Sequence, residues 1–346
     1  MKRKVFAMLM AATMVFSMAA CGSSDDSSKD AAASGDEGTT DESTDAAKED
    51  DGAASGEEYV IGYAPATLNN AFWLAVKDGV QQAIDETGAN VKLVDIDANG
   101  DQSIMNDGIS NLISSGIDAL LCAPADSTAV SSALTELKEA GVPVINFDTP
   151  VDDPSMVETI IASDNDNAGY VVGKDAGEKI EDGAKILVLH SPRASACVQR
   201  YEGFLRGLDE SGKDYEIVNV LDGEGDQETS LGLVSDALVA DPDLSVIFAV
   251  NDPSAMGAVN AIQQASVTLE NDIMVYGVDG NPDAKKMIKE GSMEGTGSQS
   301  PETLGYKSMM CALDVLQGKE IEKEIVVDTF LITAENVDEY GTDGWQ

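Results

Sequence analysis

An internal repeat is the feature of this sequence that most constrains its fold. Residues 78–88 match residues 202–212, and each stretch has a helical pattern ending in a glycine suited to capping a helix. Each is followed by a strand-like run and then by the same tripeptide, Gly-Asp-Gln, at 100–102 and at 225–227. A folding unit that occurs twice predicts two similar lobes rather than one continuous sheet.

Within each copy, short apolar runs alternate with amphipathic stretches. Runs rich in Val, Ile and Leu predict strands at 59–64, 91–95, 119–123, 144–147, 186–190, 216–221, 246–250 and 273–278. The stretches between them predict helices, among them 72–87, 130–140, 201–211 and 254–265. Continuous apolar strands connected through helices are typical of parallel sheets that helices cover on both faces. The predicted class is therefore α/β.

Two of the predicted strands end in an aspartate at matching places in the two copies. Asp148 closes the run VINFD, and Asp279 closes the run VYGVD. Ligands of parallel α/β sheets bind beyond the carboxyl ends of the strands, so two facing lobes would bring both acids to one cleft. The alternative is that each acid caps the helix that follows it.

The first 58 residues predict a targeting signal followed by a flexible tether. A basic start at 2–4 and an apolar run at 5–20, too short for an ordinary membrane span, predict a signal peptide over residues 1–20. Met18-Ala19-Ala20-Cys21 resembles the lipobox of bacterial lipoproteins, so Cys21 is the expected lipidation site; a plain secretory signal is the alternative. Residues 21–58 predict a flexible acidic tether, which places the folded part outside the cell, anchored to the outer face of the bacterial membrane.

Composition excludes several classes of function. With 63 Asp and Glu against 21 Lys and Arg, the net charge is -42, and a phosphate backbone would repel the chain. The chain has one histidine, His190, and the expected state of Cys122, Cys197 and Cys311 is a buried free thiol. Residues 95–101 begin like a calcium loop, but the twelfth position is not a glutamate. No residues form a catalytic constellation, so we expect no enzyme activity, cofactor, metal or nucleic-acid partner.

Six separated motifs in this chain resemble the ribose-binding branch of the type I periplasmic sugar-binding family. They occur in the family's order and spacing over about residues 59–335, and their agreement is more specific than any one alone. The motifs are Leu68-Asn69-Asn70-Ala71-Phe72-Trp73, Ala162-Ser163-Asp164-Asn165, Arg200-Tyr201-Glu202-Gly203-Phe204, Phe248-Ala249-Val250-Asn251-Asp252, Val278-Asp279-Gly280-Asn281-Pro282-Asp283 and Gln299.

The resemblance implies a two-lobed solute-binding protein of an ABC sugar importer, expected to be a monomer, that closes on a monosaccharide and is read by a membrane permease. It implies lobes of residues 59–162 plus 300–328 and of residues 163–299 plus 329–346. A three-strand hinge would join them near Ser163, Gln299 and Asp328. By position, the family's sugar contacts carry over to Asn70, Phe72, Trp73, Asp148, Arg200, Asn251, Asp279 and Gln299.

The chemistry of these residue types suits a sugar without appeal to the family. An ionised carboxylate such as Asp148 or Asp279 accepts hydrogen bonds from neighbouring hydroxyls, and Arg200 donates in a fork and offsets their charge. Aromatic rings such as those of Phe72 and Trp73 offer flat surfaces to the C–H faces of a sugar, with packing in the helix core as the alternative.

Two positions depart from the ribose-type pattern, and the function keeps an alternative. The family has an arginine where this chain has Thr149, and an aromatic residue where it has Gly225. The sequence therefore favours a hexose or a sugar alcohol as the ligand at least as strongly as a pentose. The same fold also serves sensors that deliver a sugar signal to a membrane kinase or chemoreceptor, and the sequence does not separate that role from import. The predicted signal peptide and the lack of a helix-turn-helix motif argue against a repressor.

Overall fold

The computed structural model describes residues 58–266, 268–269 and 271–346. The predicted signal peptide, Cys21 and nearly all of the acidic tether lie outside these residues.

The described chain alternates strands and helices from Tyr59 onward. The strands are β1 (Tyr59–Ala64), β2 (Val91–Asp95), β3 (Ala119–Cys122), β4 (Val144–Phe147), β5 (Thr159–Ser163), β6 (Ala184–His190), β7 (Tyr215–Asp222), β8 (Val246–Ala249), β9 (Met274–Asp279), β10 (Gly295–Ser298), β11 (Glu324–Val327) and β12 (Phe330–Thr333). The helices are α1 (Ala71–Thr87), α2 (Gln102–Ser115), α3 (Ser131–Ala140), α4 (Asn165–Lys179), α5 (Ser195–Asp209), α6 (Gln227–Ala240), α7 (Asp252–Gln264), α8 (Pro282–Glu290), α9 (Pro301–Leu316) and α10 (Val337–Tyr340).

The strands form two sheets of six. The first has the order β11-β5-β4-β3-β1-β2, and the second has the order β12-β10-β9-β8-β6-β7. Four strands of each sheet follow the same path, β2-β1-β3-β4 in the first and β7-β6-β8-β9 in the second, so the duplicated unit predicted from the sequence is confirmed. Every pairing is parallel except that of β10 with β12. The second sheet therefore departs from the purely parallel arrangement that was predicted.

Helices cover both faces of each sheet. Adjacent residues of one strand alternate between two apolar cores: Leu121 packs with α1 and α9, whereas Leu120 packs with α2 and α3. In the second sheet, Val188 packs with α4 and α5, and Leu189 packs with α6, α7 and α8. We call each sheet with its helices a lobe. The described residues of the four cores lie between Tyr59 and Trp345, so the segment 58–346 contains all four of these cores.

Local sequence accounts for where most helices begin and end. The Asn70 side chain accepts a hydrogen bond from the Phe72 N–H at the start of α1, and Gly88 ends that helix with φ of +62°. Asp101 caps α2 in the same way, so this acid of the calcium-like loop caps a helix. None of the helices in the described part of the chain has the length and hydropathy needed to cross a bilayer.

All eight predicted strands are present, with ends shifted by at most two residues. Four strands were missed: β5, β10, β11 and β12. Strand β10 reads Gly-Thr-Gly-Ser and has no apolar run to reveal it, although it is fully buried. Helix α5 begins at Ser195, six residues before the predicted start at Tyr201. The earlier start was not predicted because the helix opens with the small residues Ser, Ala and Cys.

The chain passes from one lobe to the other at three places. These are between β5 and α4, between β10 and α9, and between β11 and β12. Ser163 is the last residue of β5, Gln299 follows β10, and Asp328 lies between β11 and β12.

Candidate ligand-binding site

A cavity of about 140 Å³ lies between the lobes, where the carboxyl ends of both sets of strands face each other. The structure brings all eight sequence-predicted site residues to its wall: Asn70, Phe72, Trp73, Asp148, Arg200, Asn251, Asp279 and Gln299. They come from both lobes, so a molecule in the cavity would contact both.

Asp148 and Asp279 occupy equivalent places in the two lobes. Asp148 follows β4 with φ of +58°, and Asp279 ends β9 with φ of +144°. Non-glycine residues rarely adopt positive φ, and such strain is concentrated at functional sites. Neither acid caps the element that follows it. Asn281 caps α8, its side chain accepting from the Asp283 N–H at 2.8 Å, and Asp153 caps the short 3-10 turn Pro154–Met156.

Asp279 lies at the centre of a buried hydrogen-bond network. Gln299 Nε2 donates to its Oδ1 at 2.8 Å, and Arg200 Nη1 donates to the same oxygen at 3.4 Å. The Asp252 N–H donates to the other oxygen at 3.4 Å. Burial raises the pKa of the Asp279 carboxyl, although Arg200 opposes the rise. Burial also raises the pKa of Asp252, which lies behind Asp279 and accepts from the Asn281 N–H.

Arg200 is held in place by the second lobe. It lies on α5, it is only 4% exposed, and its Nε donates to Asn165 Oδ1 at 2.8 Å. Its Nη1 also donates to the Val250 carbonyl at 3.0 Å. The guanidinium therefore has fixed partners in its own lobe before any ligand enters.

Asp148, on the first lobe, has far fewer partners. The Thr149 hydroxyl donates to its Oδ2 at 2.9 Å. Its Oδ1 is buried and has no hydrogen-bond partner among the described residues. Burial raises the pKa of this carboxyl, whereas Arg200 and the Thr149 hydroxyl lower it.

Phe72 and Trp73 belong to the core of the first lobe and also line the cavity. Their rings pack edge to face with centroids 5.2 Å apart, and Trp73 packs edge to face on Phe147 at 6.0 Å. Core packing and a place on the wall are thus not alternatives here. The core fixes the two rings as a rigid apolar side of the cavity.

Asn70 and Asn251 are both helix caps, Asn70 at the start of α1 and Asn251 at the start of α7. Asn251 Oδ1 accepts from the Ser254 N–H at 3.1 Å, and its Nδ2 donates to the Gly225 carbonyl at 2.9 Å. Gly225 has φ of +69°, in a left-handed turn that positions this carbonyl, and it presents no side chain to the cavity.

Several residues of the wall were not predicted from the sequence. Cys197 and Ala196 lie in the first turn of α5, and Pro124 and Ala125 follow β3. Cys122 and Cys311 are buried free thiols as predicted, but Cys197 is half-buried and faces the cavity. Pro124 and Ala125 could have been predicted, because ligands of parallel sheets bind beyond the strand ends. Ala196 and Cys197 could not, because the predicted start of α5 lay after them.

The two lobes also contact each other directly beside the cavity. Ser195 Oγ, on the second lobe, donates to the Pro150 carbonyl of the first at 2.6 Å. The Ser195 N–H donates to Ser127 Oγ at 3.1 Å, and the Ser127 N–H donates to the Arg193 carbonyl at 3.0 Å. We call these three serine-mediated bonds the interlobe latch. Within the described residues, no cluster of three or more His, Cys, Asp or Glu is placed to hold a metal ion.

A family model for the periplasmic binding protein domain matches residues 61–320. The chain belongs to the periplasmic binding protein family. Its relatives include the ribose import binding protein RbsB of Bacillus subtilis (strain 168), 34% identical over 78% of this chain and 85% of the relative. The protein of the same name from Escherichia coli (strain K12) is 32% identical over 79% of this chain and 90% of the relative.

Solved structures of periplasmic binding proteins share the two-lobed fold. An ABC transporter solute-binding protein from Agrobacterium vitis with bound D-fucose has a TM-score of 0.75 and 27% identity, over 82% of this chain and 97% of that one. A periplasmic solute-binding protein from Actinobacillus succinogenes 130z with bound D-allose has a TM-score of 0.73 and 26% identity, over 82% of this chain and 100% of that one.

Proposed function

We propose that this protein is the solute-binding component of an ABC sugar importer. It captures a monosaccharide between two lobes, residues 59–162 plus 300–328 and residues 163–299 plus 329–346, and delivers it to a membrane permease. The observation that carries this proposal is the pairing of two strand-end carboxylates, Asp148 and Asp279, from opposite lobes across one cavity with an aromatic side. The ribose import proteins among its relatives support the same role.

Each group on the wall has a part in holding the sugar. Asp148 and Asp279 accept from ring hydroxyls, Arg200 donates to a ring or hydroxyl oxygen, and Phe72 and Trp73 cover a C–H face. Asn70, Asn251 and Gln299 add mixed donors and acceptors. Nothing in this set activates a nucleophile or transfers a proton, which agrees with binding and release of an unchanged ligand.

A thermal-shift screen of the segment 58–346 against a panel of pentoses, hexoses and sugar alcohols tests the function. We expect at least one of them to raise the melting temperature, because a ligand that binds only the folded state stabilises it. Calorimetry then measures the affinity of that ligand for Asp148→Ala and Asp279→Ala. Each change should cost about 2–4 kcal/mol, roughly a hundredfold in affinity, because sugar hydroxyls lose a buried charged partner.

The matched control is Asp283→Ala. This acid also follows the β9 strand end, but its side chain is 68% exposed and pairs with Lys286. It should leave the affinity unchanged. A panel that yields no ligand, or undiminished affinity in both cavity variants, would contradict the proposal.

We propose further that the mature protein is tethered outside the cell by lipid on Cys21, in keeping with the signal-like start and the small residues before that cysteine. Metabolic labelling with palmitate should mark the parent protein and not Cys21→Ala. Equal labelling of the two proteins would show that the anchor lies elsewhere.

A further inference from the structure

The charges on the cavity wall do not balance. On its buried part lie two carboxylates, Asp148 and Asp279, and one guanidinium, that of Arg200, all at most 5% exposed. At the mouth, Arg193 and Glu224 lie 3.8 Å apart with side chains 47% and 58% exposed, so these two charges offset each other in water. The buried part of the wall therefore carries one net negative charge when both carboxyls are ionised.

That charge resides mainly on Asp148. The Arg200 guanidinium donates hydrogen bonds to Asn165, the Val250 carbonyl and Asp279, all in its own lobe. The neighbour that reaches Asp148, Thr149, is an uncharged donor. The raised pKa of Asp148 is consistent with this, since burial disfavours the ionised form by more than Arg200 and the Thr149 hydroxyl favour it.

The unsatisfied atoms of the wall are acceptors as well. Across the described residues, two cavity-lining side chains have a buried polar atom without a partner: Asp148 Oδ1 and Gln299 Oε1. The amide of Gln299 cannot be turned around, because its nitrogen donates to the Asp279 carboxylate at 2.8 Å. The cavity wall thus offers two free acceptors that donors of a ligand would satisfy, and it lacks one positive charge.

We propose that the cognate ligand is a monosaccharide or cyclitol in which an ammonium group replaces one hydroxyl, and that this group binds Asp148. The inference rests on the proposed sugar-binding function and narrows its ligand class. An ammonium group has three donors and no lone pair, whereas a hydroxyl adds one donor and two acceptor sites. Its charge-assisted bond to Asp148 neutralises the buried wall, which a neutral sugar leaves with an unpaired charge.

The test compares isosteric pairs by calorimetry on the segment 58–346 at pH 6.5: D-glucosamine with D-glucose, D-galactosamine with D-galactose, and an amino-deoxyinositol with myo-inositol. We expect the amino member of the pair that binds to be at least tenfold tighter. A neutral member that binds as tightly as its amino counterpart, or more tightly, overturns the inference and leaves the proposed function standing. If no neutral sugar or amino sugar binds, both fall.

Asp148→Asn locates the effect. Asparagine tolerates the positive φ of this position, so the fold should be kept. The variant removes the charge and keeps an acceptor, so the preference for the amino member should shrink to about one. Asp283→Asn, an exposed acid outside the cavity, should leave the preference unchanged. A preference that survives Asp148→Asn would show that the ammonium group is recognised elsewhere and would overturn the assignment to Asp148.

Discussion

Asp279 and Asp252 are two buried carboxyls in contact through a backbone hydrogen bond, and Arg200 donates to Asp279. Burial raises the pKa of Asp279 and that of Asp252, whereas Arg200 lowers both. In an unfolded chain both carboxyls would have pKa values of roughly 4. The folded protein therefore keeps a proton on Asp279 at pH values where the unfolded chain has lost it.

This difference predicts how the stability of the ligand-free protein depends on pH. The stabilising contribution of protonated Asp279 is fully present below about pH 4 and is lost as the pH rises through the raised pKa of the folded protein. The free energy of unfolding, measured by urea denaturation, should therefore fall as the pH rises above about 4. In Asp279→Asn the fall should be much smaller, because the amide does not titrate.

The variant also serves as the control for the rest of the molecule. The large excess of acidic residues adds its own destabilisation as the pH rises, but this contribution is common to both proteins. Curves that run parallel for the parent and Asp279→Asn would mean that Asp279 is ionised in the folded protein throughout this range.

At the residue scale, sequence could predict which side chains reach the cavity but not their hydrogen bonds. Asp148, Asn251 and Asp279 were found because alternating strands and helices place every strand end at one edge of the sheet. That Asp148 Oδ1 has no partner depends on the positions of residues far apart in the sequence, and no local pattern encodes it.

Helices α4 and α5 of the second lobe pack backbone against backbone, and glycines on both make this possible. A Cβ added to Gly173 of α4 would lie 2.0 Å from the Phe204 carbonyl oxygen, and one added to Gly203 of α5 would lie 2.0 Å from that of Asp166. Both distances are far below van der Waals contact, and backbone atoms cannot move aside cheaply.

Gly203→Ala should therefore destabilise the protein by about 1–3 kcal/mol, because the two helices must separate. Gly232→Ala is the matched control. Gly232 lies inside α6 with no atom within 4 Å of an added Cβ, so this alanine should stabilise by about 0.5–1 kcal/mol through helix propensity. Thermal unfolding of the two variants should shift in opposite directions. A Gly203→Ala protein as stable as its parent would show that the helices can separate without loss.

At the element scale, the sequence predicted what apolar periodicity can report. Strands such as β4 and β8 are fully buried runs of Val, Ile, Phe and Ala with one polar exception, Asn146, and they were found. Strand β10 is equally buried but consists of Gly, Thr and Ser, so tertiary pairing with β9 and β12 makes it a strand rather than its own propensity. Strand β12 is antiparallel because the chain crosses from β11 of the first sheet directly into the second sheet, with only residues 328–329 between the two strands, and no apolar pattern reveals this crossing.

At the scale of the whole molecule, ligand contacts and lobe contacts are both divided between two bodies joined by three crossings. A ligand that contacts both walls must favour the arrangement in which the lobes meet, by as much as its affinity differs between the two arrangements. The interlobe latch favours the same arrangement without touching the ligand, since Ser195 of the second lobe forms hydrogen bonds with Ser127 and Pro150 of the first lobe beside the cavity.

We therefore predict that a saturating cognate sugar lowers the radius of gyration of the segment 58–346 in solution scattering, as the lobes close by changes in a few dihedral angles at the crossings.

Ser195→Ala removes the hydroxyl that donates to the Pro150 carbonyl at 2.6 Å. Losing one such bond, worth about 1 kcal/mol, should weaken sugar binding roughly fivefold, because the closed form is less populated. At saturation the variant should reach the same radius as its parent. Ser131→Ala, at an exposed serine that begins α3, should change neither quantity. Scattering curves that superpose with and without a sugar shown to bind would refute closure, and unchanged affinity in Ser195→Ala would show that the latch does not contribute to it.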